Sequence, residues 1–242
     1  MSHSSEAVSA PEAPSAHRSL HWSFLSRMDY EPCSELQSRV RDRLLADEGP
    51  ESLLFVEHPH TYTLGRNADA GDVIAGDATL SARGVSVSQS TRGGQVTYHG
   101  PGQLVGYPII DLNPDRRDLR RYVADLEQVL IGTLAELGVE AQGAPDRERI
   151  GVWVGDAKIA SIGVHVKRWV TMHGFALNLH TDLEYFSGIV ACGLPSVTMT
   201  SVEELTGQRI ELADAAELCA RQFGERFERR LEAGQGGQSK AP

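Results

Sequence analysis

The chain has 242 residues, 40% of them hydrophobic and 23% charged, with a formal net charge of −10 at pH 7. This composition is that of a globular protein with a sizeable core, and no stretch approaches the roughly 20 consecutive apolar residues of a membrane-spanning helix. The negative charge argues against a protein that follows nucleic-acid phosphates over a broad basic face. We therefore expect neither a membrane nor a nucleic acid among its partners.

The termini and the cysteines indicate the domain organisation and the compartment. Residues 1–18 are rich in Ser, Ala and Pro without the apolar centre of a signal peptide, and residues 233–242 are rich in Gly and Gln. We predict a disordered tail at each end and one folded domain over residues 19–232. The three cysteines, Cys33, Cys192 and Cys219, show no C-x-x-C spacing, which favours the cytoplasm over a disulfide-bonded exterior.

The first half of the chain predicts short strands and one helix. The helix starts near Glu31-Pro32 and ends near Asp47, because Leu36, Val40 and Leu44 follow helical spacing. The predicted strands are His21–Leu25, Ser52–Glu57, Thr61–Leu64, Val85–Ser88 and the short segment Val96–Tyr98.

The second half contains the clearest element, a helix from about Asp118 to Leu137, whose apolar residues recur every three or four positions until Gly138. Ser201 with Glu204 has the spacing of a helix capping box. The other predicted elements are a strand Leu104–Leu112, a hairpin Gly151–Val164 turning at Gly155-Asp156, a strand Trp169–Leu179 and a helix Leu212–Leu231. Strands and helices mix without regular βαβ alternation, which predicts an α+β fold with a mixed β-sheet flanked by helices.

The stretch Arg92–Gln103 holds four glycines among polar and aromatic residues. Glycine lets the backbone approach a ligand closely, but a glycine-rich hairpin without function fits the same residues. Alone, this stretch does not separate the two interpretations.

Cys192 and Lys158 are the candidates for chemistry. Cys192 lies in a turn-rich segment beside Gly193, where it is either a reactive thiol or a structural residue. Lys158 lies in an otherwise apolar strand. It either faces solvent from an edge strand or points into a cleft, where it could stabilise a thiolate. The histidines His58, His60, His99, His165 and His173 lack metal-ligand spacing, so we predict no metal site.

Four motifs occur together in one order: Arg92–Gln103, Lys158–Gly163, His173–Asn178 and Ala191–Gly193. With them, the chain resembles the octanoyltransferases of lipoate biosynthesis, the lipoyl(octanoyl) transferase or lipoate-protein ligase B type. The resemblance runs from about residue 20 to 225 and includes Val56–Pro59. It implies a fold similar to the catalytic domain of biotin and lipoate protein ligases.

The resemblance also implies an activity and a site. The family moves an octanoyl group from acyl carrier protein to a lysine of lipoyl domains in 2-oxoacid dehydrogenase E2 subunits and of the glycine-cleavage H protein, without a cofactor. Cys192 would form the acyl thioester, and Lys158 would lower its proton affinity. Ala191 departs from the proline common in the family. The implied substrate-binding residues are Arg92, Gly93, Gly94, Gln95, Val96, Thr97, Tyr98, His99, Ser161, Ile162, Gly163, Gly174, Phe175 and Ala176.

Two other functions remain open from the sequence. An ATP-dependent lipoate or biotin protein ligase of the same fold would show a longer glycine run, and a non-catalytic lipoyl-domain-binding protein would show a damaged dyad. Because the protein partners of the family are acidic, we also expect a local basic rim, formed by Lys167, Arg168 and Arg92.

Overall fold

The computed structural model describes residues 18–144, 146, 149–190 and 197–234. The strands are β1 (Arg18–Arg27), β2 (Glu51–Glu57), β3 (Thr61–Leu64), β4 (Ser86–Gln89), β5 (Val96–His99), β6 (Gln103–Ile109), β7 (Gly151–Val154), β8 (Ala157–Lys167), β9 (Val170–Asn178), β10 (Thr198–Met199) and β11 (Arg229–Ala233). The helices are α1 (Tyr30–Leu45), α2 (Asp77–Ala82), α3 (Leu119–Glu136), α4 (Val202–Thr206) and α5 (Leu212–Phe227). Short 3₁₀ turns occupy Ala70–Asp72 and Leu183–Gly188.

The strands form two sheets. The larger has the order β10-β8-β9-β6-β2-β1-β11, with β7 paired to β8, and the smaller has the order β4-β3-β5. In the larger sheet β2, β6, β9 and β8 are antiparallel in turn, whereas β1 runs parallel to both β2 and β11. The predicted mixed sheet flanked by helices is therefore confirmed.

Helices cover both faces of the larger sheet. On one face α3 and α5 pack through residues such as Leu126 and Phe223 against Phe55 and Leu177 of the strands. On the other face α1 packs through Cys33 and its neighbours. Each fully buried leucine or phenylalanine contributes roughly 1.5–3 kcal/mol to this core. None of the described helices is long and apolar enough to cross a membrane.

Local signals explain where α3 begins and ends. The Asp118 carboxylate accepts hydrogen bonds from the backbone N–H groups of Arg120 at 2.8 Å and Arg121 at 3.1 Å, which satisfies amides left unpaired at a helix start. Gly138 follows the helix with φ +78°, a conformation that glycine adopts without strain. The predicted helix is thus confirmed within one residue at each end.

The C-terminal prediction is wrong from residue 228 onward. We predicted a helix to Leu231, but α5 ends at Phe227, Glu228 adopts φ +53°, and the next residues form β11. This strand pairs with the edge of β1, and the Arg229 guanidinium is held there by the buried carboxylate of Glu51, with Nε 2.6 Å from Oε2. The first strand begins at Arg18 and β11 ends at Ala233, one residue outside the predicted domain on each side.

Candidate active site

A cavity of about 730 Å³ lies where β8, β9 and the start of α3 meet the segment 92–97. Lys158 and every predicted substrate-binding residue except Tyr98 line it. Cys192 and Ala191 lie outside the described residues. Lining residues that the sequence analysis did not single out include Tyr30, Arg66, Val105, Tyr107, Leu119, Arg120, Val123, Glu127 and Ile150.

The glycine-rich segment forms a wall of the cavity along β8. The backbone N–H of Gly93 donates to the Val164 carbonyl at 2.9 Å. The Gly94 carbonyl accepts from the N–H of Asn67 at 3.1 Å, and a side chain on Gly65 would place its Cβ 2.3 Å from that carbonyl oxygen. Glycine is required here because two backbone segments meet with no room for a side chain.

Arg92 holds this wall to the smaller sheet. Its guanidinium donates to the carbonyl of Thr63 at 2.6 Å, to the Thr63 hydroxyl at 2.9 Å and to the carbonyl of Gly93 at 3.1 Å. The side chain is only 8% exposed. The expectation that Arg92 belongs to a basic rim is therefore wrong, since a buried guanidinium committed to its own chain cannot meet a partner protein.

Lys158 is buried at the start of β8, with 1% of its surface exposed. The alternative of a solvent-facing lysine on an edge strand is excluded, because β7 and β10 both pair with β8 at this residue. Its Nζ lies 5.5 Å from the centre of the Trp153 ring. A Cβ on Gly151 would come within 2.5 Å of Lys158 Cε, so the glycine opening β7 makes room for the lysine side chain.

A chain of buried hydrogen bonds joins the cavity wall to the backbone of Lys158. Nδ1 of His99 donates to Gln103 Oε1 at 2.9 Å, and Gln103 Nε2 donates to Asn178 Oδ1 at 2.9 Å. Asn178 Nδ2 donates to the Thr200 carbonyl at 3.0 Å, and the Thr200 N–H donates to the Lys158 carbonyl at 3.0 Å. These bonds fix the tautomer of His99, since the amide nitrogen of Gln103 can only donate.

The histidines of the site are neutral. Burial, together with the nearby His58 and Arg92, holds the pKa of His99 well below its usual value. Burial and Arg92 lower the pKa of His173 to about 3, and His173 Nε2 lies 2.9 Å from the Thr91 hydroxyl. Among the described residues, no three His, Cys, Asp or Glu side chains are grouped as ligands for a metal ion.

Tyr98 is the predicted binding residue whose side chain turns away from the cavity. Alternation along β5 directs Val96 and Tyr98 into the core of the smaller sheet. The Tyr98 hydroxyl lies within hydrogen-bonding distance of His60 Nδ1, at 2.8 Å, and the Tyr98 ring stacks on Tyr185 with centroids 5.2 Å apart. The side chain of Tyr98 therefore supports the smaller sheet behind the wall.

Comparisons with known proteins agree on one family. The family model of the lipoyl protein ligase A/B catalytic domain matches residues 29–224. The octanoyltransferase of Solibacter usitatus is 48% identical over 204 residues, which are 84% of this chain and 91% of that protein. The octanoyltransferase of Caldicellulosiruptor saccharolyticus is 43% identical over 205 residues, 84% of this chain and 87% of that protein. The chain belongs to the octanoyltransferases of this family.

As an octanoyltransferase, the protein is an enzyme that transfers the octanoyl group in lipoate biosynthesis, and the predicted family and activity are confirmed. Solved structures support the fold. The bi-partite lipoate protein ligase of Thermoplasma acidophilum matches with a TM-score of 0.72 at 16% identity, over 90% of this chain and 87% of that one. The biotin protein ligase of Aquifex aeolicus matches with a TM-score of 0.51 at 10% identity, over 88% of this chain and 70% of that one.

The sequence analysis of this octanoyltransferase missed the wall formed by α3. Leu119 and Val123 belong to the apolar spacing that predicted this helix, yet both line the cavity and Leu119 is 47% exposed. It also missed Gln103 and Asn178 as the residues that connect His99 to Lys158. Both lie inside the motifs that carry the family resemblance, which was the available signal.

Proposed function

We propose that this octanoyltransferase takes its acyl group from acyl carrier protein, holds it as a thioester on Cys192, and delivers it to a lysine of a lipoyl domain or of the glycine-cleavage H protein. The observation that carries the proposal is the buried Lys158 at the cavity. The strand β10, which follows Cys192 in the chain by six residues, pairs with β8 at Ala157 and Lys158.

The first half-reaction transfers the acyl group to the enzyme. The Cys192 thiolate, stabilised by the Lys158 ammonium, attacks the carbonyl carbon of the octanoyl thioester. A new C–S bond forms, the carbon–sulfur bond to the carrier breaks, and the carrier thiolate takes a proton from Lys158. Lys158 is then a neutral amine beside the acyl-enzyme.

The second half-reaction transfers the acyl group to the acceptor. The acceptor lysine amine attacks the Cys192 thioester carbonyl, and the neutral Lys158 accepts the proton that the amine loses. The C–N bond forms, the C–S bond breaks, and the thiolate–ammonium pair is restored. His99, which is neutral and engaged by Gln103, positions the acyl group rather than carrying a proton.

The apolar part of the cavity suits an alkyl chain of this length. Val105 and Ala176 lie on adjacent strands in direct register, and Ala176 lies opposite Ser161 of β8. All three line the cavity. Burying the roughly seven methylene and methyl groups of an octanoyl chain contributes about 5 kcal/mol at ~0.8 kcal/mol per group. This part of the cavity therefore binds the acyl chain, with its carbonyl toward Lys158.

Intact-mass measurement tests the thioester. Incubated with octanoyl acyl carrier protein and no acceptor, the enzyme gains the mass of one octanoyl group, whereas the Cys192→Ser variant gains none. Cys33 and Cys219, which are both buried, serve as matched controls, because Cys33→Ser and Cys219→Ser retain the adduct. A Cys192→Ser variant with normal transfer would contradict the proposal.

The same assay addresses the ligase alternative and the acceptor. A ligase would release pyrophosphate from ATP with free octanoate, and we expect none. Adding a lipoyl domain to the isolated acyl-enzyme discharges the adduct onto one lysine of that domain. The small number of cysteines and their lack of C-x-x-C spacing fit the cytoplasm as the place of this reaction.

A further inference from the structure

A basic surface lies beside the cavity, at the start of α3 and the turn between β8 and β9. It consists of Arg117, Arg120, Lys167 and Arg168, all of which are exposed. Two contacts hold its halves together. The Arg117 guanidinium lies 5.1 Å from the centre of the Trp169 ring, and the Leu112 N–H donates to the Trp169 carbonyl at 2.9 Å.

The charges of this basic surface have no acidic partner in the part of the chain that the structure describes. Among the described residues, no carboxylate oxygen lies within 4 Å of the charged nitrogens of its four cations. The nearby Asp118 carboxylate instead caps the amides at the start of α3, where the helix dipole adds further positive potential. A concentrated positive field in a chain of net charge −10 is typical of a surface that selects an acidic partner.

The basic surface continues into the cavity. Leu119 and Arg120 belong to both, since they line the cavity while Leu119 remains 47% exposed. An exposed leucine among arginines at a cavity opening combines apolar contact with charge steering. A protein docked here has direct access to the cavity that Lys158 lines.

We propose that this basic surface is the docking site of the acyl donor, an acidic protein that carries its thioester on a flexible arm. The proposal rests on the donor named under the proposed function. Lys167 follows Lys158 by nine residues in β8, which corresponds to ~30 Å at ~3.3 Å per residue. At its near end the surface reaches the cavity, because Arg120 lines it together with Lys158. A protein docked along the whole surface would therefore deliver a group carried on an extended arm into the cavity.

Charge reversal tests the docking site. The double variant Arg117→Glu/Arg168→Glu changes two exposed residues that do not line the cavity. With octanoyl acyl carrier protein at low salt, we expect kcat/KM for acylation of Cys192 to fall at least tenfold, because steering charges change association rates by 10- to 1000-fold. The loss shrinks at high salt, where exposed charges are screened. With octanoyl pantetheine, which has no protein body, the acylation rate is unchanged.

A matched control reverses two charges elsewhere. Arg39→Glu/Arg230→Glu alters residues whose side chains are 66% and 69% exposed, on α1 and on the β11 edge of the sheet, and it leaves carrier-dependent acylation within twofold of wild type. Equal loss in both double variants, or no loss in the first, overturns the proposal. A defect confined to discharge onto the lipoyl domain also overturns it, because the acceptor then occupies the surface. Absence of any adduct from octanoyl pantetheine in the wild type refutes the thioester mechanism instead.

Discussion

Mild acid should destabilise this enzyme through its buried histidines. Burial lowers the pKa of His58 to about 4 and that of His173 to about 3, and also holds the pKa of His99 well below its usual value. In the unfolded chain these histidines take up protons near pH 6.5, whereas in the folded protein they stay neutral. Their full contribution to the stability of the folded state is therefore present above pH 6.5. It is lost progressively below that pH, and the loss from each ring stops only near its folded-state pKa.

The magnitude follows from these values. Between pH 7.5 and 5.5, each histidine ring that stays neutral in the folded state lowers the free energy of unfolding by about 1.4 kcal/mol. The reason is that protonation of the same ring stabilises the unfolded state. His58 and His173 together therefore remove about 3 kcal/mol, and His99 acts in the same direction. Few carboxylates titrate in this window, so the change is large beside a total stability of roughly 5–15 kcal/mol.

Urea unfolding at pH 7.5 and 5.5, followed by tryptophan fluorescence, measures the difference. His58→Gln should reduce it by about 1.4 kcal/mol, because glutamine can replace the bonds that His58 makes to the Met28 carbonyl and the Tyr107 hydroxyl without binding a proton. Cys219→Ala is the matched control, since it weakens a buried site without a group that titrates here. Equal stability at both pH values, or an unchanged difference in His58→Gln, would refute the reasoning.

Three further predictions concern packing and the acyl chain. Gly151→Ala should displace Lys158, since its Cβ would lie 2.5 Å from Lys158 Cε at a φ of +141°, and we expect Cys192 acylation to slow at least tenfold in single-turnover measurements; a wild-type rate would contradict this. Asp125→Ala should lower the free energy of unfolding by about 3–5 kcal/mol in urea titrations. The variant leaves the buried Arg116 guanidinium without the carboxylate whose Oδ2 lies 2.5 Å from its Nη1. A change below about 1 kcal/mol would show that the ion pair is dispensable. Ala176→Leu should raise the preference for hexanoyl over octanoyl pantetheine about tenfold, as the larger side chain takes the room of ~2 methylene groups, and an unchanged ratio in competition assays would place the chain elsewhere.

Elements with a local signal were predictable. The α3 helix was predicted within one residue because its apolar spacing, its Asp118 cap and Gly138 all act within one or two turns. The hairpin of β7 and β8 was predicted because Gly155 supplies the required turn, with φ +56°. The family motifs likewise contain about half of the residues that line the cavity.

Features that depend on distant parts of the chain were not predictable. The sequence neighbours of Lys158 favoured a solvent-facing position on an edge strand. The side chain is instead buried, because β10, some forty residues later, pairs beside it. The end of α5 was predicted wrongly because an apolar residue at Leu231 fits the spacing of a helix as well as the alternation of a strand. The sheet edge offered by β1 decides between them.

The pairing of β1 with β11 has a consequence for how the protein is made. Arg18 of β1 lies opposite Arg229 of β11, so the two chain ends close one sheet. A ribosome releases the N-terminal strand first, and its outer edge stays unpaired until almost the whole chain has emerged. Contacts of such long sequence separation slow folding, and an open strand edge invites pairing with other chains. Chaperone capture of the nascent chain should therefore persist until residues 229–233 leave the ribosome.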